Sequence, residues 1–178
     1  MKRIFLCVLL IAYSCTIQAN SFNNSVFYKV AVAKDVDPLL LYAIAYICSA
    51  TQNGNEDFAP NPLALVIDGK RLNPTSLEKA TRKLDEARYR TENINVGLMA
   101  ISLKFFPRAY PDDLFDPVTN LEQGADILKE LLRKNSDPVL AVGQYFSPVD
   151  MLRAKNYGER VWALRNSLEE YFKRLDAI

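Results

Sequence analysis

The 178-residue chain contains no histidine. That removes the commonest general base and the commonest metal ligand together, and it excludes Ser-His and Cys-His nucleophilic catalysis outright. Cysteine is scarce as well, with three residues, at positions 7, 15 and 48. The first two fall in a leader-like start, so past it only Cys48 remains and no internal disulfide can form. One Cys without His offers too few donors for a zinc site, so no metal or other cofactor is expected. An excess of one charge is missing too. There are 22 Lys and Arg against 21 Asp and Glu, and without Lys2 and Arg3 the balance is 20 against 21, a net of −1. Nothing there attracts nucleic acid or an anionic membrane surface, both of which reward clustered positive charge. The apolar run Ile4 to Tyr13 is too short for a stable membrane span, which needs about 20 residues.

What is present begins with a basic Met1-Lys2-Arg3, then that apolar run, then small and polar residues ending at Gln18-Ala19. This is the pattern of a secretory signal peptide. Residues 1–19 are therefore expected to be cleaved away, leaving residues 20–178 as one exported domain. Lipid anchoring through Cys15 is disfavoured because Ala12-Tyr13-Ser14 makes a poor lipobox. The remaining length suits a single hydrophobic core without staples. No repeat, low-complexity tract or linker divides it.

The stretch that organises the chain is Leu39 to Ala50, an apolar helix opened by Asp37-Pro38 and closed in the polar run Thr51 to Asn55. Asp is a favoured N-cap and Pro a favoured first helical residue, while Gly54 supplies a stop. A helix apolar on nearly every face belongs in the middle of a core. Before it, Asn23-Asn24 is read as the cap of a helix reaching Lys34. After it, Leu65-Val66-Ile67 followed by Asp68-Gly69 predicts a small two-stranded β-hairpin flap. Thr75 to Glu78 reads as a capping box, opening a charged helix with Leu77, Ala80, Leu84 and Ala87 inward. Asn93 to Gly97 reads as a turn into a helix over 98–106, stopped by Pro107. Asn120 is expected to cap the helix that carries Leu121, Ala125, Leu128 and Leu132. Asp137-Pro138 starts another, and a last long helix aligns Tyr157, Val161, Leu164, Leu168 and Phe172. The expected fold class is mainly α with a small hairpin.

From the residues alone, an exported helical domain without His or paired Cys is either a carboxylate-based enzyme of the cell wall or a binding module. A glycosidase needs an acid held in a cleft beside the scissile bond. Most carboxylates here lie on solvated helix faces. Glu56 and Asp57 differ, since they fall in the loop between the central helix and the flap.

Four segments carry a resemblance. Asp37 to Ala45 looks like the helix bearing the catalytic acid in lytic transglycosylases with the goose-lysozyme-like (SLT-type) fold, where that helix ends in Glu-Ser. Val96-Gly97-Leu98-Met99-Ala100-Ile101-Ser102 is similar to the family's Gly-Leu-Met-Gln-Ile-Asn segment. Leu114 to Ala125 resembles its Asp-Pro, Asn-Leu, Gly-Ala helix opening. Ala141 to Pro148 resembles the stretch with the substrate-side Tyr, here Tyr145. Order and spacing agree over most of the exported chain. The flap, with Pro60-Asn61-Pro62 ahead of Asp68-Gly69-Lys70, is similar to a subgroup found with conjugation and type IV secretion systems. The resemblance implies a periplasmic lysozyme-like domain, peptidoglycan glycan strands as ligand, and envelope proteins of a secretion assembly as partners.

The departures bear on activity. The family's Glu falls on Cys48, its Gln on Ala100 and its Asn on Ser102, while Ser49 is kept; in the secretion-associated subgroup a His commonly stands where Phe146 is. By the resemblance, Ser49, Met99, Ala100, Ser102, Tyr145 and Phe146 line the substrate groove. The family Glu protonates the glycosidic oxygen and then helps remove the proton of the muramoyl 6-hydroxyl. A thiol with an ordinary pKa of about 8.5 is a poor acid for an ether-like oxygen, and losing a general acid costs on the order of 10²–10⁴ in rate. The expectation is a retired active site on a peptidoglycan-binding or structural protein. The alternative is a working transglycosylase using a displaced carboxylate, Glu56 or Asp57. A third reading gives Phe146, Tyr110 or the flap to a protein partner.

Overall fold

The computed structural model describes residues 22–53, 57–108 and 110–176, so the expected signal peptide, with Cys7 and Cys15, and also Gly54 and Glu56 lie outside the described residues. The architecture is mainly helical with two small antiparallel sheets. Helix α1 (Val26–Lys34) begins at Ser25, whose hydroxyl accepts from the Tyr28 N–H at 3.2 Å. The cap is thus Ser25, in place of Asn23 or Asn24: its backbone is extended and its hydroxyl faces the first turn. Helix α2 (Pro38–Ser49) starts as expected: one Asp37 oxygen accepts from Leu39 and Leu40 at 2.8 and 3.1 Å. The other is held by Arg165 at 2.7 Å, which ties the start of α2 to the last helix.

Helix α2 ends at Ser49, one residue short of the expected Ala50. Ala50 instead opens β1 (Ala50–Asn53), which pairs with β2 (Asp57–Pro60) in the register Ala50↔Pro60 to Asn53↔Asp57. The polar run after the helix is therefore one arm of a hairpin. The predicted flap is present as β3 (Leu65–Ile67) and β4 (Lys70–Leu72), turned by Asp68 and Gly69 at φ of 50° and 79°. Positive φ at both central residues is the two-residue hairpin turn that Asp-Gly favours. It is larger than the two strands expected, because β5 (Ile94–Val96) and β6 (Ile101–Ser102) extend it to the order β4-β3-β5-β6.

Those two strands replace the helix expected over 98–106. Gly97 at φ 78° and Ala100 at φ 46° both sit in the left-handed region, which ends any helix and folds the chain back so that Val96 pairs with Ile101. Helix α3 (Leu77–Arg88) is capped by Ser76, one residue later than Thr75, and buries Ala80, Leu84 and Ala87. Leu77, expected inward, is 57% exposed because the shifted cap leaves it at the very first helical position. A 3-10 turn (Pro111–Phe115) leads to α4 (Pro117–Lys134), capped by Asp116 with Pro117 first. Asn120 is thus inside α4, fully buried, and not its cap. Helices α5 (Pro138–Phe146) and α6 (Met151–Asp176) follow. They approach so closely that a Cβ at Gly143 or Gly158 would lie 2.0 Å from a carbonyl oxygen of the facing helix. Leu40, Leu41 and Ile44 of α2 share one core with Leu65, Leu84, Val96, Leu121 and Leu128 from the elements around it. Among the described residues no helix is long and apolar enough to cross a membrane.

Candidate functional site

The C-terminal end of α2 opens on a cavity of about 370 Å³. Its lining comes from three places that are distant in sequence: Cys48 from α2, Ala100, Ile101 and Ser102 from the β5–β6 hairpin, and Gln144, Tyr145 and Phe146 from α5. Phe105, Phe106, Asn93 and Asn95 complete the walls on one side, Glu130 and Lys134 of α4 on another. Of the residues singled out in the sequence, Cys48, Ala100, Ser102, Tyr145 and Phe146 are brought together. Ser49 and Met99 do not line the cavity. Ser49 is fully buried and donates to Ala45 O at 2.8 Å, and Met99 is fully buried against Gly124. Asp57 opens β2 opposite Asn53, three residues along the strand from Ala50, a backbone separation of about 10 Å at the usual strand rise.

The helix end itself is secured by Arg71 of β4. Its guanidinium donates to Cys48 O at 2.7 Å and Ile47 O at 3.1 Å, carbonyls that the ending helix leaves without partners. No local pattern in the sequence announces this, since Arg71 lies across the flap. The hairpin wall is secured by Asn120. Its carbonyl oxygen accepts from Met99 N at 2.7 Å, and its amide donates to Val96 O at 3.0 Å and Leu114 O at 2.8 Å. Gly97 makes room for it, because a Cβ there would fall 2.1 Å from the Asn120 amide nitrogen. Tyr145 adds a fourth tie, its hydroxyl donating to Met99 O at 2.8 Å. Ala100 is thereby held in its left-handed conformation facing the cavity, at a cost of about 1 kcal/mol for a residue with a Cβ.

Cys48 forms the floor, with a buried phenol behind it. Cys48 Sγ lies 3.2 Å from Tyr157 Oη, and the Tyr157 ring stacks on Phe146 with centroids 4.7 Å apart. Burial pushes the Cys48 thiol up to about 11, against smaller opposing effects of the Tyr157 hydroxyl and Arg71. Burial likewise raises Tyr145 and Tyr157 well above the ordinary range of a phenol. The carboxylate among the described lining residues, Glu130, is displaced the other way. Hydrogen bonds from Arg133 and then Lys134, at 2.9 and 3.0 Å, hold it down to about 2.

Chemically the site is lopsided. A general acid or base works best with a pKa near the working pH. Here the thiol and phenols keep their protons through neutrality and the carboxylate stays charged, so none of these groups is poised to exchange a proton. Among the described residues no three of His, Cys, Asp and Glu converge as metal ligands. No protein-family model, no curated protein and no solved structure matches the chain.

Proposed function

We propose that this protein is an exported, lysozyme-like relative of the lytic transglycosylases that holds peptidoglycan glycan strands without cutting them. In this reading it works in the periplasm as a binding or structural part of a secretion or conjugation assembly. One observation carries it: the cavity has walls suited to sugar and a floor unsuited to proton transfer. The exposed rings of Phe105, Phe106 and Phe146 share the lining with Asn93, Asn95 and Gln144, the Gln144 oxygen being taken by Asn135. Flat apolar rings accept the apolar faces of pyranose rings, and amides pair with hydroxyls, the mix of apolar wall and few polar anchors typical of a ligand site. The floor, where the resemblance puts a catalytic Glu, carries a neutral thiol. Binding and bond cleavage use partly separable contacts, so the first can outlast the second. The secretion setting is supported only by the resemblance of the flap, and fold alone does not set function.

The test is incubation of the purified protein with sacculi, scoring co-sedimentation and release of 1,6-anhydromuropeptides, with a Cys48→Glu, Ala100→Gln variant alongside. The expected result is pelleting without release by the wild type, and measurable release by the variant. Anhydro products from the wild type would overturn the reading and direct mutagenesis to Glu56 and Asp57. Failure to pellet would overturn it too, and would turn attention to a protein partner at Phe146, Tyr110 or the flap.

A further inference from the structure

Beside the cavity lies a second depression of about 330 Å³, lined in part by Arg88, Glu92, Lys104 and Arg108. Lys104 lines both hollows, so the two adjoin. Three cations, Arg88, Lys104 and Arg108, share this one hollow and, like Lys29, Lys70 and Arg82 elsewhere on the surface, they form no ion pair among the described residues. Lys34, Lys129, Arg133 and Arg165, by contrast, each meet a carboxylate within ion-pair distance. Arg88 sits in the last turn of α3, where a cation complements the helix dipole but is left without an anionic partner. Arg108 donates to the neutral amide oxygen of Gln123 at 2.6 Å. Lys104 holds its ammonium 6.0 Å from the centroid of the Phe105 ring, which is itself a cavity wall. Taken together the two linings carry four cations against Glu92 and Glu130; with Lys134 and Glu130 paired to each other, Arg88, Lys104 and Arg108 face Glu92 alone. In a chain whose charges nearly balance, this is a local surplus.

We infer that this depression is an anion subsite, taking a carboxylate or phosphate group carried by the ligand that fills the adjoining cavity. Two guanidinium forks and an ammonium match the oxygens of either anion, and Arg does so in a fixed bidentate geometry. For a peptidoglycan strand the anions would be the carboxylates of its peptide branches. That ligand rests on the proposed function, whereas the anion preference rests on the depression alone.

The experiment is calorimetric titration of the full chain with three probes: a neutral tetramer of N-acetylglucosamine, a disaccharide tetrapeptide with free carboxylates, and inorganic phosphate. The charged muropeptide is expected to bind about 10-fold more tightly than the neutral tetramer, the worth of one charge-assisted hydrogen-bonded pair. That advantage should shrink between about 50 and about 500 mM NaCl as screening grows. An Arg88→Ala, Arg108→Ala variant with an unchanged melting curve should lose the advantage and keep its affinity for the tetramer. Phosphate binding with the same salt and variant dependence would support the subsite and name phosphate as its anion. Equal affinity for both sugars, with no effect of salt or phosphate, would overturn it. If the tetramer does not bind while the muropeptide or phosphate does, the glycan reading falls and the anion subsite stands.

Discussion

Two buried polar nodes support walls of the same cavity, and they are built on different terms. Asn120, behind the β5–β6 hairpin, uses both ends of its amide in three hydrogen bonds of 2.7 to 3.0 Å. Cys48, on the floor, makes one 3.2 Å thiol–hydroxyl contact, to Tyr157. The first node closes every polar group it touches and so specifies one backbone shape. The second leaves a polar atom at the lining of a cavity, with little holding it there. A buried group that stabilises is satisfied several times over, whereas one inherited or kept for a ligand need not be. The comparison therefore separates the part of the site that the fold depends on from the part that it merely contains.

The sharpest way to break that comparison is Asn120→Ala. It would strand the Met99 N–H and the Leu114 carbonyl in the interior, where each costs about 1–3 kcal/mol, and take the second donor from the Val96 carbonyl, which the pairing with Ile101 still serves. The expected loss is on the order of 4 kcal/mol, read as a shift in the urea midpoint at constant slope, a large share of the 5–15 kcal/mol typical of a domain. A loss under about 1 kcal/mol would mean that the hairpin keeps its shape without the amide.

Alkaline pH tests the other node. Cys48, Tyr145 and Tyr157 are acids whose neutral forms the fold favours. Well below pH 9 all three are protonated in folded and unfolded chains alike, and they add no pH dependence. As pH rises past the ordinary thiol range of about 8.5 to 9, the unfolded chain gives up that proton while the folded chain keeps it to about 11. Stability is then lost across that window, by about 1.4 kcal/mol per pH unit for one group, or about 3 kcal/mol in all. The two phenols steepen the fall above pH 10. Unfolding curves at intervals from pH 8 to 11 should show this decline, and Cys48→Ala with Tyr157→Phe should flatten it. An equally steep decline in that variant would place the alkaline sensitivity elsewhere.

How far the sequence disclosed this arrangement depends on whether the signal was local. The start of α2 was legible because Asp37 and Pro38 act on the residues next to them, and the β3–β4 turn because Asp68-Gly69 can do little else. The strands at 94–96 and 101–102 were not, since Leu98, Met99 and Ile101 are apolar in the manner of a helix. What bends them into a hairpin is Gly97 yielding to a side chain 23 residues on. Asn120 was misread for the same reason: at the start of an apolar periodic run an Asn looks like a cap, and only the fold shows that the real cap, Asp116, precedes it by four residues. Five of the candidate cavity residues could be named because motif order places them. Arg71 and the Tyr157 hydroxyl could not, since each reaches the end of α2 from an element whose own sequence says nothing about it.

The smallest expected effect draws the finest line between the two nodes. Cys48→Ala removes one weak hydrogen bond and one sulfur atom from a group that is only 7% exposed. The Tyr157 hydroxyl that loses its partner is buried, but the space the thiol vacates opens on the cavity, where water can replace it at little cost. The loss should therefore be about 1 kcal/mol, several-fold below that of Asn120→Ala, and Cys48→Ser should recover part of it by restoring a hydroxyl to the phenol. A cost for Cys48→Ala equal to that of Asn120→Ala would mean that the thiol is as much a part of the fold as the Asn120 clamp. The floor of the cavity would then be a structural element that happens to face a hollow, and the glycan cleavage expected of the Cys48→Glu, Ala100→Gln variant would be forfeited to misfolding before any chemistry could be seen.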